Sequence, residues 1–360
     1  MVRFYCVVLG LFIFPIFAMD PKGKQIELSA ARHAYTQKPK NDSTGTCVFC
    51  DPVSLKENYI LQENEADDVR IMMNKNPYFN WDQGHHLLIM PMTHKLDFAE
   101  FSRQELMQQT RAARYLSALL YEDSYTQEYV TNLGLNGGQS VPHLHNHIKA
   151  YVQPPMSLPE MVDHYKDSPT NNIAFAFELL KAKLASSVEF FVESNSSSVT
   201  HDGCYCCSIS NNLDDERNFI IKRFKHNLVC VAHFPNVAAE LIVMPYDHVH
   251  SIKDLSPEAL CENMALAVTF LPLLREYVNK NVRECKSGNV YTKSLGGKAS
   301  EKKKQKYHVY TSVMARTAIS STPGTLEGNS QKIECDPVAL FQYFKQCSSE
   351  LQLLLEKRMG

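Results

Sequence analysis

Between Cys47 and about Pro155 the apolar positions fall into short runs of β-forming residues broken by polar turns: Val69 to Met73, His86 to Met90, Tyr129 to Asn132 and His147 to Val152. Each run predicts a strand. From Arg103 to Tyr121 the period changes, with Leu106, Ala113, Leu116 and Leu120 on one face, which predicts an amphipathic helix. Pro159 to Leu184 reads as a helical connector, and the Ser-rich run Ser194 to Val199 as a linker. Then the pattern begins again. Cys204 and Cys207 repeat the spacing of Cys47 and Cys50, and Leu87-Leu-Ile-Met-Pro-Met-Thr-His94 is answered by Leu241-Ile-Val-Met-Pro-Tyr-Asp-His248. From Cys50 to His94 is 44 residues and from Cys207 to His248 is 41. Such matched spacings predict an internal duplication, an α+β fold of two similar halves, each an antiparallel sheet with helices on one face. The divisions are 1–18, 19–46 (polar), 47–155 (first domain), 156–200 (connector and linker) and 201–360 (second domain with a C-terminal helix).

Composition narrows this. With 360 residues, 44% hydrophobic and 21% charged, the chain can bury a sizeable core, which excludes disorder and fibres. Thirty-seven basic against 39 acidic residues give a net charge of −2, so no broad positive field points to nucleic acid as a partner, and phosphate binding must be local. The opening MVRFYCVVLGLFIFPIFA sets one Arg before an apolar run too short to span a bilayer, the layout of a cleavable signal peptide. Export to a periplasmic or secreted location is the expectation, with no stable membrane anchor. The alternative is a cytoplasmic protein whose N-terminal run is a buried strand or follows from a mis-assigned start codon. Either a monomer with pseudo-two-fold halves or a homodimer suits a duplicated chain.

Eleven cysteines pose the choice between disulfides, free thiols and metal. A Cys-x-x-Cys turn can present two thiolates to one Zn²⁺, with histidines completing a tetrahedron. Cys47, Cys50, His94 and His143 form one candidate set; Cys204, Cys207, His248 and His308 form the second, in the same order. Four protein ligands leave no place for a reacting water, so such zinc would be structural. A disulfide within each pair is the rival reading, and export strengthens it. The remaining cysteines read as small apolar residues, apart from Cys6 in the export segment.

The densest chemistry lies in Asn132-Leu-Gly134-Leu-Asn-Gly-Gly138-Gln139-Ser140-Val-Pro-His143-Leu-His145-Asn-His147. Histidines alternating along a strand would converge on one small anion, and the glycine-rich turn before them lets backbone amides approach phosphate. These residues resemble the histidine triad (HIT) nucleotide hydrolase and transferase superfamily, as do the Cys-x-x-Cys, the His94 element and Asn74-x-x-Pro77-Tyr78. The length is similar to its two-lobed branch, which includes galactose-1-phosphate uridylyltransferase and dinucleoside tetraphosphate phosphorylases. The resemblance implies a small-molecule nucleotide substrate whose α-phosphorus is attacked by His145, forming a nucleotidyl-histidine. His147 would hold a phosphate oxygen or assist the leaving group. Gln139, Ser140 and the turn, with Gly138, would stabilise the phosphate oxygens, Asn132 would fix the turn and Asn74 would touch the ribose.

Two departures stand out: Asn146 replaces an apolar residue or Gln, and Lys149 extends the strand, read as an exposed strand-end lysine or, alternatively, as a further phosphate contact. In the second half Tyr310 stands where His145 stands in the first, and the run Lys298 to Lys306 is a solvated insertion or, alternatively, reaches over to substrate phosphates. The pattern implies one active and one degenerate half. A non-catalytic, zinc-stabilised nucleotide-binding scaffold is the reading from another class.

Overall fold

The computed structural model describes residues 47–152, 173–186, 203–317 and 336–347, except positions 76, 78–83, 135–136, 234, 236, 238 and 283, together with 353, 354 and 356. The signal-peptide segment, the polar segment to residue 46, Tyr78, the connector before residue 173, the Ser194 to Val199 linker and Cys335 lie outside the described residues.

The first half runs α1 (Pro52–Lys56), β1 (Ile60–Asn64), β2 (Val69–Met73), β3 (Gly84–Met90), α2 (Arg103–Leu119), β4 (Thr126–Leu133) and β5 (Asn146–Tyr151). The connector helix α3 covers Ile173–Ser186. The second half runs α4 (Tyr205–Asn211), β6 (Ile220–Arg223), β7 (Asn227–Val231), β8 (Glu240–Pro245), α5 (Pro257–Asn281), β9 (Ser287–Leu295), α6 (Glu301–Lys306) and β10 (Thr311–Arg316), and then α7 (Pro337–Gln346). The long helix of each half begins on a serine cap: Ser102 accepts from the Glu105 amide in a full capping box, and Ser256 accepts from the Ala259 amide with Pro257 in the first turn. No helix among the described residues is long and apolar enough to cross a membrane.

The halves do not keep separate sheets. The ten strands among the described residues form one antiparallel sheet in the order β1-β2-β3-β5-β4-β9-β10-β8-β7-β6, so the second half repeats the first in mirror order. The seam pairs β4 with β9 from Thr126 opposite Leu295 to Leu133 opposite Gly288. Pairing encloses nearly every side chain of β4 and β9, and a strand of that length left as a free edge would invite pairing with any other chain.

Strand alternation then divides the sheet's two faces. Leu87 and Ile89 of β3 point into the main core, with Leu116 and Leu120 from α2, Leu266 and Phe270 from α5, and Phe344 from α7. Helices therefore cover one face in both halves. Leu88 and Met90 point the other way into a small cluster with Phe49, Met72 and Val141, and Met244 joins Ile209, Ile220, Leu228 and Cys230 in its counterpart. Each small cluster lies beneath a Cys-x-x-Cys loop, so candidate chemistry collects on the face away from the helices.

Candidate functional site

Each Cys-x-x-Cys loop meets its two histidines. Cys47 Sγ and Cys50 Sγ lie 3.4 and 3.3 Å from His143 Nδ1, and Cys50 Sγ lies 3.5 Å from His94 Nδ1. In the second half Cys207 Sγ is 3.1 Å from His248 Nδ1, and His308 Nδ1 is 3.7 and 3.6 Å from Cys204 and Cys207. All four ligand atoms of each set lie within 4.8 Å of one another. Bonds of about 2.0–2.3 Å to a tetrahedral ion imply ligand-to-ligand edges of roughly 3.3–3.8 Å, so the spacing suits a metal ion. The second layer agrees. His143 Nε2 donates to the Pro91 carbonyl at 2.9 Å, and His308 Nε2 to the Pro245 carbonyl at 3.0 Å. A carbonyl only accepts, so each ring proton sits on Nε2 and each Nδ1 turns its lone pair toward the thiols. Burial pushes His143 down to about 4, keeping it neutral as a ligand must be. None of the nine described cysteines is in a disulfide.

The active turn leaves β4 at Leu133 and is shaped by glycine. Gly134 has φ +72°, and a Cβ there would lie 2.6 Å from Ser287 Oγ; at Gly137 a Cβ would lie 2.6 Å from the Gly288 carbonyl oxygen. The turn is thus pressed against the start of β9, closer than any side chain allows. Gln139 closes it, its side-chain oxygen accepting from the Gly134 amide at 2.9 Å while its own amide donates to the Gly134 carbonyl at 3.2 Å. Gly138, with φ +87°, and the half-buried Ser140 complete the path to the histidines.

The histidines differ from the expected regular strand. β5 begins at Asn146, so only His147 lies within it, whereas His143 and His145 occupy the bend and extended segment before it. Proline at 142 cannot donate to a ladder, and the Leu144 amide bonds to the Lys95 carbonyl at 2.6 Å instead of to a neighbouring strand. The rings still gather. His145 and His147 centroids are 4.9 Å apart, and the Phe49 ring sets its edge against His143 and His145 at 5.8 and 5.4 Å. The His145 Nδ1 donates to the His143 carbonyl at 2.7 Å, which leaves the lone pair on Nε2. His147 is held by protein at both nitrogens: Nδ1 is 2.9 Å from His86 Nε2, and Asn132 Nδ2 donates to Nε2 at 3.2 Å. Asn74 sits behind, its side-chain amide 3.1 Å from His86 Nε2 and its backbone amide donating to the His86 carbonyl at 2.8 Å.

His86 and Phe49 escape a reading of the sequence alone. His86 stands eight residues before His94 on an expected strand, and Phe49 lies inside the Cys-x-x-Cys turn; each looks like ordinary strand or loop filling. Lys149 needs correcting. Its side chain is 12% exposed and pairs with Glu128 at 3.4 Å on the adjacent strand, so it is a half-buried residue inside the sheet and not a free strand end. The lysine run is largely solvated, as expected of an insertion, and does not reach the active turn. Part of it forms the largely exposed α6, yet Lys304 Nζ donates to the Gly297 carbonyl at 3.0 Å and lies 5.7 Å over the Tyr121 ring, and Lys298 lies over Tyr125. Tyr125 precedes β4, whereas the active turn leaves its far end; at ~3.3 Å per residue that separates the lysines from the turn by roughly 25 Å.

In the second half, two residues beyond His308, stands Tyr310, whose phenol burial and the neighbouring Glu240 push up to about 12. It stays protonated at neutral pH and offers no imidazole-like nucleophile.

Residues 57–151 match the family model for the HIT domain. No curated protein sequence matches the chain. Among solved structures, a uridylyltransferase is similar with a TM-score of 0.56 at 14% identity, over 88% of this chain and 94% of that one. An ADP-glucose phosphorylase from Arabidopsis thaliana with bound ADP-glucose has the same TM-score and identity, over 88% and 93%. A galt-like protein from Arabidopsis thaliana is similar at 0.54 and 14%, over 84% and 92%. Residues 57–151 therefore match the HIT domain model, and along most of its length the chain shares the fold of these solved structures.

Proposed function

We propose that this protein is a nucleotide hydrolase or a nucleotidyltransferase or phosphorylase that acts on the α-phosphate of a nucleotide conjugate through His145. The observation that carries the reading is the hydrogen bond from His145 Nδ1 to the His143 carbonyl, which fixes the neutral tautomer with its lone pair on Nε2. In the proposed first step Nε2 attacks phosphorus in line, forming an N–P bond as the P–O bond to the leaving group breaks. The leaving group departs with the bridging electron pair and takes a proton from bound water. In the second step an acceptor oxygen attacks the same phosphorus, its proton goes to solvent, and the N–P bond breaks to return neutral His145. The Gly138 amide and the Ser140 hydroxyl lie on the path to the histidines, where they can meet the phosphate oxygens as charge develops. His147, engaged at both nitrogens, orients the pocket in this reading more than it touches phosphate.

Nucleotide sugars are the first substrates to test, because the likeness to an ADP-glucose phosphorylase extends along most of both chains. Zinc is the proposed ion in both Cys₂His₂ sets, where it would hold loops in place; no reacting group passes through it. Export remains part of the proposal, and N-terminal sequencing of protein from its native host checks it. Incubation with ADP-glucose, UDP-glucose and dinucleoside polyphosphates, with and without inorganic phosphate, and then intact mass measurement, should reveal a nucleotidyl adduct that His145→Asn lacks. Turnover by His145→Asn equal to the parent would overturn the covalent mechanism, and no turnover of any of these conjugates by the parent would favour the scaffold reading.

A further inference from the structure

Beyond the seam, the second half reaches the triad through a chain of buried amides. Arg316 Nε, in β10, donates to Asn289 Oδ1 in β9 at 2.7 Å. Asn289 Nδ2 donates twice, to Asn132 Oδ1 at 2.7 Å and to the Gly137 carbonyl of the active turn at 2.8 Å. Asn132 Nδ2 then donates to His147 Nε2 at 3.2 Å, and His147 Nδ1 meets His86 Nε2 at 2.9 Å. Asn132, Asn289, Arg316 and His147 are each less than a tenth exposed.

The direction of this chain is forced. A guanidinium has donors only and a backbone carbonyl is an acceptor only. Arg316 therefore requires Asn289 to turn its oxygen toward β10, and the Gly137 carbonyl requires its amide nitrogen to face the turn. With that nitrogen donating to Asn132, the Asn132 amide has one orientation left, oxygen toward Asn289 and nitrogen toward His147. An amide nitrogen cannot accept, so His147 Nε2 must carry the lone pair and Nδ1 the proton.

We infer that Asn289 and Arg316, from the half that lacks the nucleophile, are positioning residues that set the tautomer of His147 and hold the Gly137 carbonyl of the active turn. Activity then depends on the second half through two side chains that touch no substrate. The inference adds to the proposed function and rests on it only for its kinetic consequence.

Asn289→Asp is the discriminating variant. It is nearly isosteric and keeps an oxygen for Arg316, but it turns an acceptor toward Asn132 and Gly137. Asn132 must then flip and offer its oxygen to His147, which moves the ring proton to Nε2. Histidine-selective ¹⁵N NMR of the metal-loaded full chain should show the His147 Nε2 signal move from its unprotonated to its protonated position, with metal content unchanged. With whichever nucleotide conjugate the parent turns over, kcat should fall ~10–100-fold while KM changes less than about 3-fold, as when a histidine loses the partner fixing its tautomer. Arg316→Met, which releases Asn289 to rotate, should shift the same signal part of the way, and it carries the test if Asn289→Asp does not fold. Unaltered His147 ¹⁵N signals in a folded variant would overturn the inference, as would unaltered kcat beside an inactive His145→Asn. If the parent turns over no nucleotide, the functional reading fails while the NMR result still decides the tautomer.

Discussion

The two halves keep the same Cys₂His₂ geometry and differ at almost every position that could do chemistry. Counted from the paired histidines His143 and His308, His145 of the first half faces Tyr310 in the second and His147 faces Ser312; counted back from His94 and His248, His86 faces Glu240. On the strand beside them, Thr131 and Thr292 hold equivalent places opposite Asn146 and Thr311, so Asn132 corresponds to Lys293. The Cys₂His₂ arrangement is thus separable from the triad. It anchors a loop and one end of the histidine segment, and in the proposed reading the residues just past that anchor supply or withhold the nucleophile.

The largest expected effect tests this separation directly. His145→Asn should lower turnover by on the order of 10⁴-fold or more, as removal of a nucleophile does elsewhere, while Tyr310→Phe should stay within about 2-fold of the parent. Comparable losses from both substitutions, measured by steady-state kinetics on the conjugate the parent turns over, would show that the second half also reacts.

Next in size are the metal sets. Cys50→Ser and Cys207→Ser should each remove one bound metal equivalent by elemental analysis. Each should lower unfolding stability by on the order of 3–5 kcal/mol, because ligand binding is folding free energy in such loops. Activity separates them: Cys50→Ser releases His143, whose carbonyl orients His145, whereas Cys207→Ser acts at a distance. Turnover that falls equally in both at a temperature where both are folded would argue against independent roles.

At the seam the comparison becomes reciprocal. Asn289 of the second half braces the first half's turn; its counterpart Glu128 of the first half accepts from Tyr291 at 2.9 Å, Tyr151 at 3.1 Å and Lys149 at 3.4 Å. Glu128→Gln leaves buried donors facing an amide group and should cost about 2 kcal/mol in denaturant unfolding. Its effect on kcat should remain below about 3-fold, because Glu128 lies four residues before Asn132 on β4, away from the turn that leaves the strand's far end. A kcat loss as large as that of Asn289→Asp would mean the seam acts as a whole.

Much of this is legible in the sequence because it is local. Val69 to Met73 is a strand as expected, the helix from Arg103 ends within two residues of its expected end, and the eight candidate metal ligands are identifiable from spacing and order. The hidden features depend on register between distant strands. Nothing near Asn289 or Arg316 signals that β9 pairs with β4, so the relay to His147 emerges only once Asn132 and Asn289 lie opposite each other. Lys149 is misleading for the same reason, since its partner Glu128 becomes a neighbour only through the β4–β5 ladder. His86 and Glu240 occupy matched places eight residues before matched histidines, a signal that counting backward from His94 and His248 could have found.

The smallest expected effect asks whether acid distinguishes the halves. His85, beside the triad strand, is pushed down to about 4 by burial and, secondarily, by Lys183, while the corresponding position in the second half is Ala239. Between pH 6.5 and about 4 the unfolded chain takes up a proton at this site and the folded chain does not, so stability is present above 6.5, falls as the pH drops and levels off below 4. A shift of this size is worth about 3 kcal/mol for a fully enclosed group, and the half-buried His85 should contribute about 1–2 kcal/mol. His85→Ala, which copies the second half, should unfold at lower denaturant at pH 7 for loss of packing yet show a shallower decline from pH 6.5 to 4. The buried His143 is common to both proteins and cancels in the difference. Parallel pH–stability curves for parent and variant would assign the acid sensitivity to other groups and remove His85 from the contrast between the halves.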